Sequence, residues 1–321
     1  MSSQAQNDTS GPPAKDRFSF VRSIGRTLDI CEPAIQLAIR ACGWSSIVLV
    51  AAIFFFIFLE AGDMVYKLDW GEFFFSTRWI PSPAEGNEPV YGAGALLVGT
   101  IAVTIGSMLI SVPLGLGAAV YISEFASPRV KETLKVIIEQ LAAIPSVVWG
   151  FIGIAVMGPL LIQVTGYPVG INLFNGSLVV GLMAVPLIVS ISEDALRSVP
   201  DSYREAAMAL GASKWEMVYK VLFPSARNGL LAACMLGVGR AVGETMAVLM
   251  ATGNANKIPS SIFDSVQTMT ATIAQEMGDA VQGGEHYQVL FVIGIVLLVI
   301  TCAINVVSDI VIKGLRKEKN A

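Results

Sequence analysis

Six apolar stretches, at about 43–62, 94–122, 137–163, 174–192, 228–252 and 288–312, are each long enough to cross the hydrocarbon core of a bilayer as a helix. A helix satisfies its own backbone in lipid, so the chain is expected to be an all-α membrane protein with six transmembrane helices. Composition agrees, because 54% of the residues are hydrophobic and 14% charged, too few polar groups to cover a water-soluble globule of this size. An even number of spans puts both termini on one side, and Lys and Arg identify it, since cytoplasmic loops hold an excess of them. Of the 21 Lys and Arg residues, only Lys67, Arg78 and Lys257 fall in the loops at 63–93 and 253–287, and Arg240 falls inside a span. The termini and the polar segment 202–224 are therefore expected to be cytoplasmic and those two loops external.

The net charge of −4 reflects acidic residues such as Glu60, Asp63, Asp69 and Glu72 gathered on the external side. The basic face is accounted for by topology and anionic lipid, so nucleic acid is not an expected partner. Cys31, Cys42, Cys234 and Cys302 lack C-x-x-C spacing, which implies neither a disulfide nor a metal site. No G-x-x-x-x-G-K-[ST] occurs, so the chain is not expected to hydrolyse ATP, and no nucleophile elbow or zinc-protease helix suggests another enzyme. The single histidine, His286, reads as an ordinary external surface residue. Residues 1–42 read as an N-terminal extension, disordered to about residue 15 and then an interfacial helix from about Phe18 to Ala41, with no signal peptide. Residues 43–321 form one membrane domain. The external stretch holds Tyr66, Trp70, Phe73, Phe74, Phe75 and Trp79, rings suited to the headgroup level or to an extracytoplasmic partner. Pro113 with Gly115 and Gly117, Pro145 with Gly150, and Pro186 are places to expect either kinks or close helix packing.

The polar segment reads S-Y-R-E-A-A-M-A-L-G-A-S-K-W-E-M-V-Y-K-V-L-F-P from Ser202 to Pro224. Ser202-x-x-Glu205 and Ser213-x-x-Glu216 each have capping-box spacing, which predicts two short helices. Gly211 suits a left-handed residue after the first and Pro224 a stop for the second. Such a helix-turn-helix can lie on the membrane surface or dock another protein, with Met208, Leu210, Trp215 and Met217 as apolar anchors and Ala206, Ala207 and Ala209 giving close approach.

Arg240 and Glu244 stand inside the fifth apolar stretch. A charge at mid-bilayer costs about 2.5–3.5 kcal/mol on insertion scales, so each needs a partner or a cavity. Four residues apart on a helix, they share one face and can pair with each other. They can also serve a substrate: Arg offers a fixed fork of donors to an oxyanion, Glu244 can accept a hydrogen bond from an anion that still carries a proton, and Gly237, Gly239 and Gly243 leave room for approach.

Glu205-Ala206-Ala207, Gly211, Val221 and Leu222-Phe223-Pro224 resemble, at the family's spacing, the EAA loop of ABC-importer permeases, although Phe223 stands where Leu is common. G-R-A-V-G-E-T-M-A-V at 239–248, with I-S-V-P-L-G-L-G-A-A-V-Y-I-S-E-F at 110–125 and L-A-A-I-P-S-V-V-W-G-F at 141–151, is similar to the phosphate-specific permeases of the PstC type. The sister type, PstA, reads G-E-T-A-P after the same Arg. The likeness covers roughly 90–312. It implies a type I-like ABC importer permease fold with a cytoplasmic coupling helix-turn-helix, in which Glu205, Ala206, Ala207, Gly211 and Pro224 meet the ATPase, and a substrate pathway containing Arg240 and Glu244. It further implies a bacterial inner-membrane location, a PstA-type sister permease, an ATPase dimer that binds ATP and Mg, an extracytoplasmic phosphate-binding protein and no cofactor in this chain. An importer of another oxyanion, such as sulfate or molybdate, and a secondary transporter using Glu244 as a proton relay are the competing expectations.

Overall fold

A computed structural model describes residues 14–82 and 88–318. Among the described residues, six helical segments are long and apolar enough to cross a membrane: Ile35–Ala61, Gly94–Phe125, Ser146–Thr165, Leu173–Arg197, Lys214–Val242 and Glu285–Ile310. The backbone groups into two units, one ending at Leu59 and one beginning at Glu60.

The first unit holds most of α1 (Ala14–Ala61), a continuous helix that runs through Pro33. Residues 1–13, expected to be disordered, lie outside the described residues.

The second unit opens with two short helices, α2 (Met64–Lys67) and α3 (Trp70–Phe75), and a two-residue hairpin of β1 (Trp79–Ile80) and β2 (Val90–Tyr91). Asp69 caps α3 by accepting from the amides of Gly71 and Glu72. The aromatic stretch divides. Tyr66 and Phe75 are exposed, whereas Phe73 and Trp79 are buried, which corrects a uniform interfacial reading.

Four longer helices form the core: α4 (Gly94–Val120), α8 (Leu173–Arg197), α11 (Phe223–Val242) and α14 (Glu285–Glu318). α4 and α8 pack along one another, α11 lies against both, and α14 lies against α11. Small residues permit the approach: a Cβ on Gly115 would stand 2.6 Å from the Ile188 side chain. Outward-facing Ile105, Leu109, Leu114 and Val299 stay exposed, as lipid-facing side chains must.

The expected breakers behave differently. Pro113 and Pro186 sit inside unbroken helices. At Pro145 the chain does break, so the third span is shorter than 137–163. Its first part is instead α5 (Pro128–Ala143), an amphipathic helix without buried residues, and the span begins at α6 (Ser146–Ile152) and continues through a π-helical turn into α7 (Gly158–Thr165). Pro145 lacks an amide donor and holds Ile144 extended, at φ −66° and ψ 124°.

At the end that holds the β-hairpin, α13 (Met269–Glu276) is tied to it. Trp79 Nε1 donates to both Glu276 oxygens at 2.9 and 3.0 Å, and His286 Nε2 lies 2.8 Å from Glu276 Oε2. His286 is thus a half-buried member of a polar cluster, contrary to the surface reading. Asp264, in the loop between α12 (Met246–Ala251) and α13, accepts from the Ser260 hydroxyl and amide at 2.8 Å and from the Ser261 amide at 3.0 Å, with Lys257 at 3.3 Å. These bonds, foremost the Ser260 hydroxyl, hold its carboxyl at about 2 rather than 3.8. A depressed carboxylate stabilises the fold above its unfolded pKa and loses that contribution as pH falls through the folded one. Amide protection at Ser260 and Ser261, corrected for intrinsic exchange, should be full at pH 5 and fade between about 4 and 2. Asp264→Asn should remove the pH dependence, and unchanged behaviour in that variant would contradict the assignment.

Candidate functional site

The segment 202–224 folds as a hairpin of α9 (Asp201–Ala209) and α10 (Lys214–Met217). Its turn is built from the backbone. Gly211 has φ +81°, its amide donates to Met208 O at 3.0 Å, and the Ala212 amide donates to Ala207 O at 3.1 Å. This pair of bonds is a Schellman motif, which satisfies the last carbonyls of α9 and needs a left-handed residue. The second capping box forms: the Ser213 hydroxyl accepts from the Glu216 amide at 3.2 Å and the Glu216 carboxylate from the Ser213 amide at 3.0 Å. The first does not. α9 begins at Asp201 after Pro200, which places Ser202 inside the helix rather than before it.

Pro224 is also not a stop. The chain passes from α10 through a π-helical turn at Val218–Leu222 into α11 with Pro224 in its first turn. The missing amide of Pro224 goes unnoticed there, and the widened turn gives its ring room against the preceding carbonyls.

The hairpin has an inner and an outer face. Ala207, Met217, Val218 and Leu222 are buried in one cluster with Ala119, Val120 and Ile122 at the end of α4 and Val189, Leu196 and Val199 at the end of α8. Met217 is therefore a core residue and no anchor for a partner, and Ala207 is small because the packing behind it is tight. Glu205, Ala206 and Gly211 lie on the outer face with Met208, Leu210 and Trp215, the last three being 58%, 89% and 61% exposed. A cluster of uncovered apolar side chains on a polar hairpin marks a surface for contact with another protein or with the membrane.

Charges fix the hairpin's end of the bundle. Glu193 of α8 is buried, and its carboxylate meets Lys131 at 3.1 Å and Lys135 at 2.7 Å, both from α5, and Arg197 at 3.6 Å. Glu124, in the π-helical turn Tyr121–Phe125 that ends α4, meets Arg204 of α9 at 3.1 Å. Neither carboxylate was singled out by sequence reasoning. The available signal was a Glu at the polar edge of an apolar run, where only pairing makes burial tolerable.

Arg240 and Glu244 are not on one helical face. α11 ends at Val242, Gly243 caps it, and the chain resumes as α12. The Glu244 carboxylate turns onto this second helix and accepts from the Ala247 amide at 3.2 Å, while its carbonyl accepts from the Thr270 hydroxyl at 2.7 Å. Among the described residues no ion pair joins Arg240 to Glu244 or to another carboxylate, and Arg240 is exposed on α11. Of the three glycines, Gly239 opens to free space, whereas a Cβ on Gly237 would meet Ile188 at 3.0 Å. Gly237 serves packing, whereas no neighbour requires a glycine at Gly239.

The described residues contain no group of His, Cys, Asp and Glu fit for a metal, and Cys42, Cys234 and Cys302 are free thiols. Among the described residues, six helices long enough to span a bilayer, a break in the fifth and a polar helical hairpin define a multi-pass membrane protein. The model of the family described as binding-protein-dependent transport system inner membrane component matches residues 111–318. A probable ABC transporter permease protein, YqgH of Bacillus subtilis, is 38% identical over 270 residues, 83% of this chain and 86% of that protein. The phosphate transport system permease protein PstC of Haemophilus influenzae is 32% identical over 291 residues, 85% and 90%. The fold is shared with a bacterial alginate ABC transporter solved with an alginate pentasaccharide-bound periplasmic protein (TM-score 0.60, 13% identity, 88% of this chain and 94% of that one). It is also shared with the inward-facing MetNI methionine ABC transporter (TM-score 0.55, 21% identity, 68% and 96%). The chain belongs to the binding-protein-dependent transport system inner membrane component family and has the fold of ABC importer permeases.

Proposed function

We propose that this chain is a permease subunit of an ATP-driven inorganic phosphate importer, supplying half of the translocation pathway. Relatives named as phosphate permeases span most of the chain, and the observation that carries the reading to residues is the exposed Arg240 guanidinium beside the helix break at Gly243. A charge left without an ion pair in a span is retained only where it has something to meet. In this reading Arg240 binds the anion as a fork of donors, and Glu244 accepts the proton of hydrogen phosphate. The chain performs no hydrolysis itself. A separate ATPase dimer binds ATP and Mg and docks on the outer face of the hairpin at Glu205, Ala206 and Gly211, with Ala207 packing behind that face and Pro224 continuing the rod into the membrane. A PstA-type sister permease completes the pathway, and an extracytoplasmic phosphate-binding protein delivers to it. The membrane is then the bacterial inner membrane, with both termini and the hairpin cytoplasmic, as the Lys and Arg distribution supports.

The test is uptake of labelled phosphate by cells that express the chain with its sister permease, ATPase and binding protein. Uptake should require ATP, survive dissipation of the proton gradient and resist a large excess of sulfate or molybdate. Equal competition by sulfate would move the substrate to another oxyanion, and uptake without the ATPase would make the protein a secondary transporter.

A further inference from the structure

We propose that Arg204 and Glu124 are positioning residues for coupling: their ion pair fastens the docking hairpin to the end of α4, so that movement of α9 is passed into the membrane. The inference rests on the hairpin being the ATPase dock and names the link behind that surface.

One guanidinium joins three elements. Arg204 lies on α9 and is 17% exposed, its partner Glu124 7%. Its Nη2 donates to Glu124 Oε1 at 3.1 Å and its Nε to Oε2 at 3.4 Å, a two-pronged grip on the π-helical turn that ends α4. Nη2 also donates to Leu196 O at 2.9 Å and Nη1 to Val199 O at 2.7 Å, carbonyls at and just past the end of α8. Asp201 Oδ1 accepts at 3.1 Å, and Glu124 Oε1 also accepts from the Ser123 hydroxyl at 2.7 Å. Glu205, the next residue, points outward. The two charged neighbours therefore face opposite ways, one toward a partner and one toward the spans.

The far end of α4 reaches the broken fifth span. Thr100 Oγ1 accepts from the Met269 amide at 3.0 Å, and the adjacent Thr270 hydroxyl holds the Glu244 carbonyl. A displacement of α9 thus has a hydrogen-bonded route along one rigid helix to the segment that carries Arg240 and Glu244. A π-helical turn, with its surplus residue, is a place where a helix end yields without unravelling.

The experiment uses the complete complex in proteoliposomes, reading ATPase copurification, ATP hydrolysis and labelled-phosphate uptake in parallel. Arg204→Lys keeps the charge but loses the fork, and Glu124→Gln keeps the shape but loses the charge. Each should copurify the ATPase in full and hydrolyse ATP within about twofold of the parent, while uptake per ATP falls roughly tenfold. The double variant should be no worse than the worse single, since the two act through one contact. An unchanged ratio of uptake to hydrolysis would overturn the proposal. So would uptake and hydrolysis falling together with complex yield, the mark of a purely structural pair. Leu210→Asp with Trp215→Asp separates the underlying reading: loss of the ATPase supports the dock, whereas its full retention overturns the dock and this proposal with it.

Discussion

Arg240→Gln is expected to abolish phosphate uptake with the complex assembled in normal yield. The side chain is exposed and forms no ion pair among the described residues, so its removal strands no buried partner and should not unfold the bundle. On the proposed reading it removes one or two charge-assisted hydrogen bonds to the anion, each worth roughly 1.5–3 kcal/mol, which corresponds to at least tenfold in rate. Arg240→Lys should rescue poorly, because an ammonium offers a point charge where two oxygens of a tetrahedral anion want a fork. Glu244 behaves differently. Its carboxylate also caps α12 through the Ala247 amide, so Glu244→Gln, which keeps an accepting oxygen, should lose substrate discrimination more than assembly. Labelled-phosphate uptake beside complex yield decides the matter. Normal uptake by a variant with apolar residues at both positions would remove Arg240 and Glu244 from the pathway.

The spans were legible because bilayer thickness fixes their length and apolar runs announce them. Where the reading failed, the failures share a cause: local pattern does not say which way a helix turns after a break. Four-residue spacing put Arg240 and Glu244 on one face only while the helix was assumed to continue, and Gly243 ends it. Met217 looked like a partner anchor because helical spacing alone cannot tell inner from outer, and tertiary packing at Leu222 and Val189 made it core. Pro224 read as a stop because a single proline carries no sign of the π-helical turn before it. His286 read as solitary because Glu276 and Trp79 are brought to it by the fold. Conversely, Gly211 and the Ser213–Glu216 box were read correctly, since both are decided by chemistry within a few residues.

The locality of Gly211 makes it the sharpest probe of the hairpin. A Cβ there would meet nothing within 4 Å, so packing imposes no penalty and any effect of substitution comes from the backbone at φ +81°. A left-handed conformation costs an L-residue about 1–2 kcal/mol, more when the side chain is branched at Cβ, and little for Asn. The expected order of ATPase retention is therefore Gly, then Asn, then Ala, then Val, with the inner face of the hairpin anchored throughout by Ala207, Met217 and Leu222. In Gly211→Val the Schellman bonds to Met208 and Ala207 should open and tilt α9 against α10, which displaces Leu210 and Trp215 relative to each other. Copurified ATPase should then fall about tenfold, the equivalent of 1.4 kcal/mol, while the spans stay protease-resistant. If Gly211→Val binds the ATPase in full stoichiometry and Gly211→Asn does no better, the geometry of this turn has no part in docking, and the partner must recognise another surface of the chain.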